Sequence, residues 1–172
     1  MTKKSNAGSG SRYLEALDQR VLVYDGAMGT SIQRYHLSAE DFGGKAFEGC
    51  NDNLVLTRPD VIREIHESFM DAGCDVLETC TFQSTPRRLE EWGLLDKVRD
   101  INVGAARLAR EVADRYSTAE RPRFVAGSIG PTGLLPSSSD PVLSATTFGE
   151  LSDQYYEQAK YLVEGGVDVL LV

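Results

Sequence analysis

The sequence predicts an α/β fold, a (β/α)8 (TIM) barrel of which this chain carries about the first four βα units. Three observations point there. The strand candidates, such as Val21-Leu22-Val23-Tyr24 and Val169-Leu170-Leu171-Val172, are unbroken apolar runs rather than in/out alternations, the pattern of parallel strands covered on both faces. They alternate with helical patterns, which leaves either an open doubly wound sheet or a closed barrel. Finally, strands begin near residues 21, 75, 123 and 167 of 172, and a barrel needs eight such units in roughly 250 residues.

Taken in order, residues 1–11 are rich in Lys, Ser and Gly and read as a flexible tail, leaving 12–172 as the N-terminal half of a barrel domain, truncated at its C-terminal end. The first strand, residues 21–24, empties into the loop Asp25-Gly26-Ala27-Met28-Gly29-Thr30. A polar segment from about 32 to 53 follows, with Cys50 in what reads as a mobile loop. It is long for a plain connection, so it is expected to be functional or to carry a short helix of its own. Thr57-Arg58-Pro59-Asp60 has capping-box spacing with proline in the first turn. Val61, Ile62, Ile65, Phe69 and Ala72 then share a helical face, His66 falls on the polar side with Glu64 and Glu67, and Gly73 stops the helix.

Residues 74–79 form the second strand. Thr85-Pro86 opens a short helix that ends at Gly93, and Ile101, Ala105, Leu108 and Val112 mark the buried stripe of a longer one. Residues 124–126 are the third strand. Thr147-x-x-Glu150 is a second capping box, Leu151, Tyr155, Ala159 and Leu162 continue at helical spacing to Gly165-Gly166, and residues 167–172 form the fourth strand. Gly73-Cys74-Asp75-Val76-Leu77 echoes Gly166-Val167-Asp168-Val169-Leu170, a weak repeat expected of similar helix-to-strand turns.

Composition narrows the partners. A net charge of -8 with no basic cluster longer than two residues argues against nucleic acid and anionic membrane surfaces. No signal peptide is visible and no run reaches the roughly 18 apolar residues of a membrane span, so the expected location is cytoplasmic. Three cysteines without a CxxC pair suit free thiols in a reducing compartment.

In either architecture ligands gather beyond the carboxyl ends of the strands. Asp25 stands there as a fixed acceptor, with Gly26 and Gly29 letting the backbone approach a ligand closely. Backbone N–H groups of Gly26, Ala27 and Met28 suit an anion such as a carboxylate, although Asp25 capping its own turn and Met28 simply packing are the plainer alternatives. Glu78 and Thr79 close the second strand, where Glu78 either faces the interior or pairs with a cation. Residues 127–133 form a third turn, with Pro131 shaping it. Cys50, Cys80, His36 and His66 match no zinc spacing, Cys74 reads as a small core residue, and no nucleotide motif or nucleophile triad is present.

The ordered set DGAMGT at 25–30, NDNLVLTRPDVI at 51–62, AGCDVLETCTF at 72–82, GPTG at 130–133 and GGVDVLLV at 165–172 resembles the homocysteine S-methyltransferase domain that opens cobalamin-dependent methionine synthases. The resemblance runs from about Val21 to Val172. It implies a (β/α)8 barrel binding homocysteine at its mouth, with zinc held by three cysteines lowering the thiol pKa for attack on a methyl group carried by cobalamin. It implies a substrate site at Asp25, Gly26, Ala27, Met28, Thr79 and Cys80, the last standing where the family commonly has asparagine. The family's zinc cysteines and its amino-group glutamate lie beyond Val172, so no metal or cofactor is expected on this chain's residues alone. Implied partners are homocysteine, the rest of the barrel, and downstream folate and cobalamin domains. The alternatives are a methyltransferase using betaine or S-methylmethionine, a non-enzymatic half-barrel that assembles with a complementary chain, and an unrelated barrel enzyme such as an aldolase, against which the lack of a lysine near any strand end speaks. A half-barrel alone is expected to be inactive and to dimerise, aggregate or remain partly molten.

Overall fold

The computed structural model describes residues 9–172; the first eight residues of the stretch read as a tail lie outside the described residues. Helix α1, Ser9–Gln19, leads into the first apolar run. Helix α2, Met28–Gln33, follows the glycine loop, and single 3-10 turns at Lys45–Phe47 and Asn51–Asn53 precede α3, Leu54–Thr57, and α4, Pro59–Ala72. Then come β1, Val76–Glu78; α5, Pro86–Glu90; α6, Val98–Tyr116; β2, Phe124–Ser128; α7, Phe148–Gly165; and β3, Val169–Leu171.

The three strands are parallel in the order β1-β2-β3, with Val76 opposite Phe124 and Ala126 opposite Val169. The expected first strand is reduced to one parallel bridge, Tyr24 to Val76. Its backbone still bonds to β1, since Val23 O accepts from the N–H groups of Asp75 and Val76 and Asp25 N donates to Val76 O. Only Leu22 of the run is buried, whereas Val21 is 83% and Val23 55% exposed, so side-chain burial does not extend the ladder.

Side chains of β1 and β2 alternate between two covers, because successive residues of a strand point to opposite faces. Val76, Phe124 and Ala126 pack with Leu22 and with Tyr13 and Ala16 of α1, the Tyr13 ring meeting Phe124 edge-on at 5.3 Å. Leu77 and Val125 face Met70 of α4, Ala106 and Ala109 of α6 and Leu162 of α7. Two covered faces explain why β1 and β2 read as continuously apolar. The inner cover, α1, begins at Ser9, inside the stretch read as tail.

Helix ends follow local chemistry. Thr147 caps α7 as expected, accepting from Glu150 N while the Glu150 carboxylate takes the Thr147 N–H. The analogous reading at Thr57 fails: Thr57 closes α3 and its hydroxyl donates to Asn53 O, so the residue before α4 is Arg58, which pairs with Asp60 and Asp41 instead. Helices α6 and α7 pack closely at Gly165, where a Cβ would lie 2.4 Å from that of Ala106.

Candidate functional site

Beyond the carboxyl ends of the strands lies a cleft of about 380 Å³. Its walls are the loop Asp25–Gly29, residues 49–52, residues 78–83 after β1, and Ser128 at the end of β2. Alternation puts Glu78 on the face of Val76 and Ser128 on that of Ala126, so the apolar inner face ends in polar groups at the cleft floor.

The first loop is shaped by an alanine. Ala27 takes the left-handed conformation, φ 51°, and starts α2, whereas neither Gly26 nor Gly29 has positive φ. A Cβ on Gly26 would meet nothing within 4 Å, and one on Gly29 would touch Asn51 Nδ2 at 3.7 Å. The two glycines therefore serve to leave space rather than to bend the chain.

Asp25 is held through one oxygen and approached at the other. Its Oδ1 accepts the Glu78 N–H at 2.8 Å, which ties the first run to the end of β1. Its Oδ2 lies 3.7 Å from Nδ1 of His66, and the Asp25 side chain is only 3% exposed. His66 is fully buried in α4, which corrects its placement on the polar side. Burial and then the negative charge of Asp25 raise the Glu78 carboxyl above its usual range, opposed by the Ser128 hydroxyl at 3.4 Å. No cation pairs with Glu78 among the described residues, so the cleft keeps an acidic wall.

The hydroxyl of Thr79 is fully engaged. It accepts from Ser128 N at 2.9 Å and contacts Thr81 Oγ1 at 2.6 Å, while Thr81 donates to Ser128 O at 2.7 Å. With the Thr81 proton committed to that carbonyl, the Thr79 proton runs to Thr81. Thr79 thus lines the cleft while bracing β1 against β2.

Cys80 is buried with its Sγ 3.7 Å from Asn51 O and 4.0 Å from Asp52 Oδ1. Asp52 Oδ2 accepts from Gln83 N and Ser84 Oγ, both at 2.8 Å, clamping residues 50–53 to the loop after β1. Burial pushes the Asp52 carboxyl up to about 6 against the pull of those two bonds. Cys50, read as part of a mobile loop, is instead buried between the two 3-10 turns, and burial raises its thiol to about 11. Cys74 is in the core, as expected. Of the turn at 127–133 only Ser128 lines the cleft. Gly130 donates to Phe82 O, and a Cβ there would fall 2.3 Å from that oxygen.

Residues 25–28, Thr79 and Cys80, named from the sequence, all line one cleft, and the sequence reading did not single out Asp52 or His66. The signal for His66 was present: it stands four residues from both Ile62 and Met70, two buried positions of α4. Among the described residues no three His, Cys, Asp or Glu side chains are grouped to hold a metal. Cys74 lies before β1, at the opposite end from Cys50 and Cys80, so the three cysteines do not fit a zinc centre.

Known proteins include clear relatives of this chain. The homocysteine S-methyltransferase family model matches residues 22–172. The chain is 41% identical over 159 residues to methionine synthase of Mycobacterium tuberculosis and 42% to that of Mycobacterium leprae, covering 92% of this chain and 13% of each relative. It therefore spans about an eighth of the length of those relatives. The metallated form of the Escherichia coli homocysteine methyltransferase MmuM superposes with a TM-score of 0.71 at 21% identity, covering 91% of this chain and 55% of that one, and the apo form with 0.60. A model that matches nearly every described residue from Leu22 onward, including each segment that walls the cleft, places this chain in the homocysteine S-methyltransferase family.

Proposed function

We propose that this chain is the homocysteine-binding half of the (β/α)8 barrel of a methionine synthase, in which the homocysteine thiol receives a methyl group from cobalamin to give methionine. The observation that carries the reading is the acid-walled cleft at the strand ends, in a chain of this family. Identity near 41% to methionine synthases favours that enzyme over one drawing its methyl group from betaine or S-methylmethionine. The remaining length of those relatives leaves room for the rest of the barrel and for folate- and cobalamin-binding domains as partners.

An amino acid needs three kinds of contact. Asp25 and Glu78 supply negative charge for the ammonium group, concentrated by a partly desolvated wall. The backbone of Gly26, Ala27 and Met28 offers N–H groups to the carboxylate, and the open space over Gly26 admits it. Cys80, with neighbouring residues of the cleft, packs along the thioalkyl chain. A volume near 380 Å³ lies at the small end of ligand pockets, which suits so small a guest. The residues described here do not form a zinc set, so activation of the thiol is not assigned to them.

Calorimetric titration with homocysteine of the barrel completed by the remaining strands of the parent protein tests the reading. Saturable binding that weakens about tenfold or more in Glu78→Gln, the range expected for losing a charged hydrogen bond, supports it. Absence of binding, or equal binding by the variant, removes it.

A further inference from the structure

An ionisable ring at a core position of α4 requires a reason. His66 continues the Ile62–Met70 stripe at four-residue spacing and is fully buried, and neither ring nitrogen has a hydrogen-bond partner. An apolar residue would fill the same space without the cost of an unmatched buried donor. The charged group beside it is Asp25, whose Oδ2 lies 3.7 Å from Nδ1. That carboxylate is itself almost wholly removed from water, and its other oxygen is held by Glu78 N at 2.8 Å. The unpartnered Nδ1 of His66 and an Asp25 Oδ2 that takes no other hydrogen bond thus face each other just beyond hydrogen-bond range.

We infer that His66 is a positioning residue. Its Nδ1–H holds Oδ2 of Asp25 from behind while the Glu78 amide holds Oδ1, and the carboxylate so fixed presents its charge, together with that of Glu78, to the ammonium group of the bound amino acid. This rests on the homocysteine reading for the identity of the guest. His66 acts from the rigid fourteen-residue α4 and touches no ligand, since it does not line the cleft. Its effect is therefore confined to the ammonium end of the guest.

The test compares homocysteine with 4-sulfanylbutanoate, the same molecule without its amino group, on the barrel completed by the remaining strands of the parent protein. His66→Leu lowers homocysteine affinity about tenfold, the range for a hydrogen bond to a charged group, and changes 4-sulfanylbutanoate less than about twofold. It adds nothing when Asp25 is already Asn, because the two act as a unit. His66→Asn, which keeps an N–H near the place of Nδ1, restores part of the loss. Equal losses for both ligands, or losses that add with Asp25→Asn, overturn the inference. Should the unaltered completed barrel bind neither ligand, the homocysteine reading falls and the pairing is judged separately by nitrogen NMR of the imidazole. A protected Nδ1–H signal that vanishes in Asp25→Asn upholds it, and a signal indifferent to that change overturns it.

Discussion

Asp168 grips Val125 as Asp75 grips Val23. In each pair the aspartate N–H donates to the valine carbonyl, at 2.8 and 2.6 Å, while the valine N–H donates back to the aspartate Oδ2, at 2.8 and 3.0 Å. The weak sequence echo around the two residues is thus one device used twice. Each entering strand is pinned to its predecessor by a side chain that substitutes for a ladder bond. Arginines complete both clamps, Arg110 at Asp168 and Arg20, Arg121 and Arg123 at Asp75.

Removing Asp75 leaves buried Arg123 without its carboxylate, so Asp75→Ala destabilises the chain by about 3–5 kcal/mol, read as a lowered midpoint in denaturant. Burial alone would raise the Asp75 carboxyl, but Arg20, the Val23 N–H and Arg121 hold it below its usual value. The stability it contributes is present above the unfolded pKa near 4 and is lost as pH falls through the folded value. Melts between pH 7 and pH 3 check this, with Asp75→Asn removing the dependence.

Asp52 has the opposite sign. With its carboxyl pushed up to about 6, the folded chain holds a proton that the unfolded chain releases near pH 4. Its contribution is fully present below that value and is lost as pH rises through about 6. Asp52→Asn flattens this part of the stability profile, and a melting midpoint equally pH-dependent in the variant would contradict the assignment.

Two glycines separate stability from binding. At Gly130 a methyl group would collide with Phe82 O, so Gly130→Ala costs about 1–3 kcal/mol, the usual range for overpacking. At Gly26 the space is open, so Gly26→Ala leaves the melting midpoint unchanged and weakens homocysteine binding by placing its methyl in the cleft. Thermal melts and titration of both variants read the contrast directly.

Strand β3 has no partner on its outer edge among the described residues, and Leu170, Leu171 and Val172 are exposed there. Phe148, Tyr156 and Val163 are exposed along α7. The chain alone is expected to self-associate, sedimenting as species larger than its 18.9 kDa. A lysine on such an edge opposes strand pairing, so Leu171→Lys shifts the distribution toward monomer.

Where a single element carried its own signal, the sequence was a sufficient guide. The stripe Ile101, Ala105, Leu108 and Val112 is buried throughout, and the Thr147 capping box formed because both its partners sit within one turn. The reading faltered where neighbours in space decide. Thr57 was claimed by the end of α3, a four-residue helix too short to leave a pattern. Among the described side chains of helix α1, only Tyr13 and Ala16 reach the core, so it shows no long apolar stripe. His66 was misplaced because the adjacent Glu64 and Glu67 outweighed its spacing from Ile62 and Met70. The clamp from Asp52 to Gln83 and Ser84 spans some thirty residues of chain, and no local pattern announces it.

Burial holds Cys50 and Cys80 in their neutral SH form, Cys80 far more firmly than an ordinary thiol. Disulfide exchange needs a thiolate to attack. A disulfide or thiol reaching the cleft would therefore meet walls that are chemically quiet toward sulfur.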